Sequence, residues 1–247
     1  MRDEIGRLLA KGAAAQWSAD TAIDWTLTPR RPFWLSARAH REAVSQLLHG
    51  ERAALAACLR LAEAEADPAA QAFLIQQAED ERRHAAVYAR YLDRIGGPVP
   101  RDTGFGAAID QALAWSGEPA ALVIACHGVL EAEKVRLQAA MARAFACPLL
   151  ARINLLVARD EARHAAFGAL WLADALPRLP PDRAAAILAW VEGLWFATLA
   201  VESAPDGTAA GLNPVLHALR RRYVGRNWAR HRRQLHRLGL GPMRAAA

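Results

Sequence analysis

Two seven-residue runs in this chain differ at a single position: Asp80-Glu81-Arg82-Arg83-His84-Ala85-Ala86 and Asp160-Glu161-Ala162-Arg163-His164-Ala165-Ala166. The same offset lays Glu51 over Glu131, so each half of the repeat holds a Glu and, further on, a Glu-x-x-His. A Glu and a His three residues apart on a helix point to one side and can hold a metal ion together or bridge a pair. Four carboxylates and two divalent ions cancel in charge, which leaves two neutral imidazoles to complete a dinuclear site. With metals as counter-charges, a buried acidic cluster becomes tolerable.

The helical faces agree with burial. Around Glu51 the residues three, four and seven away are Val44, Leu47, Leu48, Ala54, Leu55 and Cys58, an apolar stripe in which an unpaired carboxylate would be costly. Phe73, Leu74, Glu81, His84, Tyr88 and Leu92 form a second stripe, and Ile153, Val157, Glu161, His164 and Trp171 a third. Glu131 has the more mixed surroundings of Ile124, His127, Gly128, Val135 and Gln138, so Glu133 stands as a substitute for it. His127, one turn before Glu131, reads as an extra ligand, a network member or a satisfied core histidine. A lone Glu-x-x-His is ordinarily a surface salt-bridging pattern; two in register, each preceded by a Glu on an apolar face, are not.

The elements that must position these residues are helices. Val/Ile/Thr alternation and Asn-Gly hairpins are lacking, whereas Ala/Leu/Arg/Glu/Gln stretches repeat their apolar residues near every 3.6 positions. The pattern predicts an all-α fold. A first long helix starts near Ser36 and runs to about Ala66; Asp67-Pro68 opens a second, which Gly96-Gly97-Pro98 closes. A crossover from Gly97 to Glu118 leads to a third helix ending by Cys147-Pro148 and a fourth reaching about Leu176. A fifth, aromatic-rich helix follows Pro180-Pro181, and Asn213-Pro214 caps a basic sixth. Two antiparallel hairpins joined by one long crossover is the connectivity of ferritin-like four-helix bundles. Three regions result: an aromatic-rich N-terminal segment (1–35), the four-helix bundle (36–176) and additional helices with a basic tail (177–247).

Composition narrows the function classes. The 247 residues, 53% hydrophobic and 23% charged, suit a packed globular protein rather than a disordered chain or a small stapled scaffold. The three cysteines have no C-x-x-C spacing, which argues against a disulfide framework and makes a reducing cytoplasm the expected compartment. The N-terminus lacks the apolar core of a secretory signal, and the stretch 184–201, interrupted by Glu192, reads as a buried helix rather than a membrane span. Nine of the 31 Lys and Arg residues, and none of the 25 acidic ones, lie beyond Asp206, so residues 1–206 carry 22 basic against 25 acidic side chains. Such a tail can meet nucleic acid or another polyanion, but no nucleic-acid motif accompanies it, and a solvated arginine face is the simpler reading.

The two Asp-Glu-x-Arg-His runs together with Glu51 and Glu131 resemble the ferritin-like, ribonucleotide-reductase-like di-iron carboxylate proteins, over roughly residues 36–176. By that resemblance Glu51, Glu81, His84, Glu131, Glu161 and His164 are the six metal ligands. Asp80 and Asp160 correspond to carboxylates that orient a ligand His in oxygen-activating relatives; pairing with Arg83 or Arg163 is their ordinary alternative. Tyr88, one turn after His84, falls where the reductase subunit has its radical tyrosine, with Gly168 at the equivalent place in the repeat. A core tyrosine bonded to a carboxylate near the ligands is its plainer reading.

The resemblance implies an enzyme: an oxidase or oxygenase in which two iron ions, or a Mn/Fe pair, activate O2 and oxidise a C–H, N–H or aldehyde group of a small organic substrate. It admits an electron-donor protein and a homodimer and calls for no membrane partner. Val157 occupies the place where aryl-amine N-oxygenases carry an additional His, so the six-ligand pattern stands. Trp190, Leu194, Trp195 and Phe196 are candidate pocket walls or plain core. Two alternatives stand beside this reading: a non-catalytic iron-handling or structural bundle, and a tRNA-modifying di-iron hydroxylase whose basic tail binds RNA.

Overall fold

The computed structural model describes residues 2–198 and 214–240, with the backbone alone over 214–220. The described chain runs through α1 (Arg2–Ala14), α2 (Ala19–Ala22), α3 (Ala37–Ala64), α4 (Pro68–Asp93), α5 (Thr103–Leu113) and α6 (Pro119–Val123). A π-helical segment, Ile124–Glu131, leads directly into α7 (Ala132–Ala144); α8 (Pro148–Ala175), a 3₁₀ turn (Leu176–Arg178), α9 (Pro181–Ala197) and α10 (Pro214–Arg237) follow. Among the described residues no strand occurs, and the all-α, ferritin-like bundle expected from the apolar periodicity is what forms.

Local chemistry sets the helix ends. The Ser36 hydroxyl accepts from Ala39 N and starts α3; the Asp67 carboxylate accepts from Ala69 N and Ala70 N at 2.8 and 3.1 Å, with Pro68 in the first helical turn of α4. Gly96 and Gly97, at φ 104° and 81°, take the left-handed conformations that turn the chain out of α4, and Gly97 N donates to Leu92 O. The crossover holds α5, capped by Asp102 on Phe105 N.

The chain divides into two compact units. The first comprises residues 1–100 and 126–171, the second residues 101–125 and 172–247 as far as these are described. In the first unit, α3 and α4 form one antiparallel hairpin across the short 65–67 turn, and α7 and α8 form another across 145–147, where Ala146 sits at φ 50°. Val44, Leu47 and Leu48 from α3, Tyr88, Tyr91 and Leu92 from α4, and Leu149, Leu150, Ile153 and Val157 from α8 close one end of this bundle as a buried core. Toward the other end Phe73 stacks on Phe167 at 4.3 Å. Helix α1, in the segment that carried no helix assignment from sequence, packs on α4 and is tied to its start by Arg2–Asp67.

In the second unit Trp115 packs on Trp190, and the Trp195 indole donates to Val224 O. Val224, Trp228 and Leu235 turn inward from α10, while Arg221, Arg222, Arg226, Arg230, Arg232, Arg233 and Arg237 are exposed. The arginine face of this helix is therefore solvated; Arg244 and residues 241–247 lie outside the described residues, as do Asn213 and the side chain of Arg220. None of the described helices is long and apolar enough to cross a membrane.

Asp67 both caps α4 and holds α1. Asp67→Ala is expected to lower stability by about 1 kcal/mol, a Tm drop of about 2–4 °C by differential scanning calorimetry; an unchanged Tm would show that water caps α4 equally well.

Candidate metal centre

Six side chains from four helical segments converge in the middle of the first unit, all fully buried: Glu51 from α3, Glu81 and His84 from α4, Glu131 from the end of the π-helical segment, and Glu161 and His164 from α8. Their ligating atoms form two groups, Glu51/Glu81/His84/Glu161 and Glu81/Glu131/Glu161/His164, within each of which the donor atoms lie no more than 4.8 Å apart. Glu81 and Glu161 belong to both groups. Glu131 rather than Glu133 faces inward; Glu133 instead pairs with Arg136 at 3.2 Å.

The histidines are aimed. His84 Nδ1 lies 3.5 Å from Glu81 Oε2, 3.5 Å from Glu161 Oε1 and 3.7 Å from Glu51 Oε2, and it has no hydrogen-bond partner. His164 Nδ1 lies 3.1 Å from Glu81 Oε1, 3.0 Å from Glu161 Oε2 and 3.8 Å from Glu131 Oε2. The opposite ring nitrogens reach across the bundle: His84 Nε2 is 3.2 Å from Asp160 Oδ2, and His164 Nε2 is 3.3 Å from Asp80 Oδ2. Each Asp thus serves the histidine of the other hairpin, keeps the Nε2 proton in place and leaves Nδ1 toward the carboxylates.

Two arginines bind both aspartates, so orientation of histidine and pairing with arginine hold at once. Arg83 lies 2.6 Å from Asp80 and 3.0 Å from Asp160; Arg163 lies 2.9 Å from Asp80 and 3.0 Å from Asp160. The N-terminal segment completes the set. Gln16 donates to Asp80 at 3.0 Å, the Trp17 indole donates to Asp160 at 2.7 Å, and the Trp17 ring stacks over His84. No spacing along the chain could have pointed to Gln16 or Trp17, because their partners lie 64 and 143 residues away.

Lys134 also escaped the sequence reading, although it stands three residues after Glu131 on the same face. Its ammonium is buried among all four glutamates, 2.7 Å from Glu51 and Glu161, 3.1 Å from Glu131 and 3.4 Å from Glu81. The π-helical segment upstream explains the mixed stripe around Glu131. Its wider turn brings Cys126, five residues before, to 3.8 Å from Glu131 Oε1, and sends His127 to Gln77 instead. His127 Nε2 donates to Gln77 Oε1 at 2.9 Å, and Gln77 in turn donates to Glu81 Oε1 at 3.1 Å. His127 therefore reaches the cluster through Gln77. The bare Cα of Gly168 makes room for it, since a Cβ there would stand 2.2 Å from His127 Cβ. Tyr88 is buried and donates to the Asn154 amide oxygen at 2.9 Å, an amide where the sequence reading expected a carboxylate.

Charge is distributed unevenly. Burial pushes Glu51 up to about 7 against the pull of Lys134, and burial with the neighbouring Glu161 raises Glu131 as well. Against the same burial, Lys134 and the two imidazoles hold the shared pair, Glu81 and Glu161, well below the ordinary range. Four carboxylates keep Lys134 charged despite its burial, and carboxylates on both sides raise His84 and His164. Burial, reinforced by the charge of His164, lowers His127 to about 3. The shared glutamates thus carry the negative charge, and the outer pair takes up protons.

The donor set fits a pair of divalent first-row metals: carboxylates and imidazoles suit iron and manganese, two carboxylates are shared, and an orphaned Nδ1 points inward. Lys134 is the one member that departs from such a set.

No family model and no curated protein matches the sequence. Solved structures do. Mutant forms of an R2-like ligand-binding oxidase match over 93% of this chain and 92% of theirs. One with an anaerobically reconstituted Mn/Fe cofactor has a TM-score of 0.68 at 18% identity; one with a non-activated Mn/Mn cofactor has 0.68 at 17%, and one with an aerobically reconstituted Mn/Fe cofactor 0.66 at 17%. This chain has their fold.

Burial works against ionisation of Asp80, yet its bonds to His164 and Gln16 and the charge of Arg83 bring it down to about 2 from 3.8. A depressed carboxylate contributes stability above its unfolded value and loses it as pH falls through its folded value. Asp80→Asn is therefore expected to cost about 2 kcal/mol at pH 7. By urea unfolding, the gap between variant and wild type should stay level down to about pH 5 and close progressively below it, through 3.8 toward about 2. A gap closing near neutral pH would contradict the assignment.

Proposed function

We propose that this protein is a metal-dependent oxidoreductase that uses O2 to oxidise a small organic substrate, with a pair of iron ions or a manganese–iron pair as its cofactor. The observation that carries the proposal is the facing pair of imidazoles: each presents Nδ1 to the shared carboxylates Glu81 and Glu161 while the Asp of the opposite hairpin holds its Nε2. The likeness in fold to oxidases with Mn/Fe cofactors supports the same reading.

Glu51 and His84 would hold one ion, Glu131 and His164 the other, and Glu81 and Glu161 both. Such a pair supplies the electrons with which O2 is reduced. The chain's part is to fix and seclude it. Asp80 and Asp160 set the tautomer of both histidines, and Arg83 and Arg163 keep the two aspartates ionised and in place. Gln77, itself held by His127, restrains Glu81. Trp17 covers His84 on one side while the Phe73 and Phe167 rings pack beside the other end of the cluster, Phe73 edge-on to His164. Tyr88, its proton held by Asn154 and its ionisation opposed by burial and by Glu51, would be the phenol to take a redox role beside the centre.

At saturating Fe(II) under nitrogen, the wild type should retain iron through desalting and consume O2 in proportion on mixing. The double variant His84→Ala/His164→Ala should fall at least about tenfold in both. Retained iron without O2 uptake would turn the reading to the iron-handling bundle, and no retained iron in the wild type would remove the metal centre.

A further inference from the structure

Lys134 does not sit midway between the halves of the centre. The three carboxylate oxygens that face His84 Nδ1 are Glu51 Oε2, Glu81 Oε2 and Glu161 Oε1. The same three atoms lie 2.7, 3.4 and 2.7 Å from Lys134 Nζ. The oxygens that face His164 Nδ1 most closely, Glu81 Oε1 and Glu161 Oε2, are the other oxygens of the two shared carboxylates. From the second half Lys134 meets Glu131 Oε2, at 3.1 Å. Neither Glu131 Oε2 nor Glu161 Oε1 has a hydrogen-bond partner of good geometry, so these contacts to Lys134 are ionic.

We propose that Lys134 is the resident cation of the Glu51/His84 half, so that the centre takes its metal ions in order: the first beside Glu131 and His164, the second only as Lys134 withdraws. The inference rests on the reading of these six residues as a metal centre. The charge count sets the order. One divalent ion with the ammonium brings three positive charges to four carboxylates, whereas two ions with the ammonium in place would bring five. A lysine is suited to the part because its charge is compact and its four-carbon stem is flexible, so the ammonium can change place by rotation of that stem. Lys134 is thereby the residue that decides how many ions the protein holds at a given metal concentration.

Mn(II) alone, under nitrogen, is the probe, with equilibrium dialysis against a chelator buffer and metal counted by mass spectrometry. The wild type should bind in two unequal steps, the second weaker by at least about tenfold, the scale on which groups around a metal site shift its affinity. Lys134→Met, which keeps the length and removes the charge, should bring the two steps within a few-fold, and Lys134→Gln should do the same if the methionine variant does not fold. At one equivalent of Mn(II), His84→Ala should keep the ion and His164→Ala should lose it. Two equal steps in the wild type, unequal steps unchanged in both Lys134 variants, or the reverse behaviour of the histidine variants would overturn the ordered loading while leaving the metal centre standing. No Mn(II) in any of these proteins would overturn both.

Discussion

Four carboxylates buried in a helical bundle have to be met by positive charge or take up protons, and most of the first unit is arranged around that requirement. A carboxylate kept ionised without a partner in such surroundings would cost several kcal/mol, a large share of a domain's margin of stability. Here Glu51, Glu81, Glu131 and Glu161 share the ammonium of Lys134 and two imidazoles that carboxylates on both faces keep basic. A second ring, Asp80, Asp160, Arg83 and Arg163, balances its own charge and fixes those imidazoles from outside. The inner ring gathers what could ligate metal, and the outer ring decides how each histidine points.

The two rings share one symmetry. Because the hairpins repeat, each Asp-Glu-x-Arg-His run contributes an Asp to the outer ring and a Glu and a His to the inner one, and the crosswise bonds His84–Asp160 and His164–Asp80 lock α4 to α8. Loss of one aspartate therefore frees a histidine on the opposite hairpin and leaves a neighbouring arginine underpaired. The symmetry is not exact. Tyr88 stands against Gly168, whose missing side chain admits His127, and Lys134 has no counterpart in the first hairpin, where the same offset of 80 places Ala54.

Much of this was legible in the residues. The repeat, the apolar stripes and the turn signals at Ser36, Asp67 and Gly96 specify a helical bundle and nominate five of the inward-facing residues, with Glu131 and Glu133 both open for the sixth, because helical spacing is a local property that periodicity reports directly. The remainder depends on contacts between distant segments. Gln16 and Trp17 meet Asp80 and Asp160 only through the packing of the N-terminal segment, and nothing in their own neighbourhood marks them. Lys134 was overlooked for a different reason: a lysine on the mixed stripe beside Glu131 carries no signal until the other three glutamates are seen around it. The π-helical segment similarly places Cys126 beside Glu131 at a five-residue spacing that a 3.6-residue period does not anticipate.

The most direct test of the account is where metal sits. Crystals soaked in Mn(II) and examined by anomalous diffraction at the manganese edge should show, at low occupancy, an ion bound by Glu131, His164 Nδ1 and the shared Glu81 and Glu161, and at saturation a second bound by Glu51 and His84 Nδ1 with the Lys134 ammonium turned away. Anomalous density elsewhere, or none among the four glutamates at saturation, would contradict it.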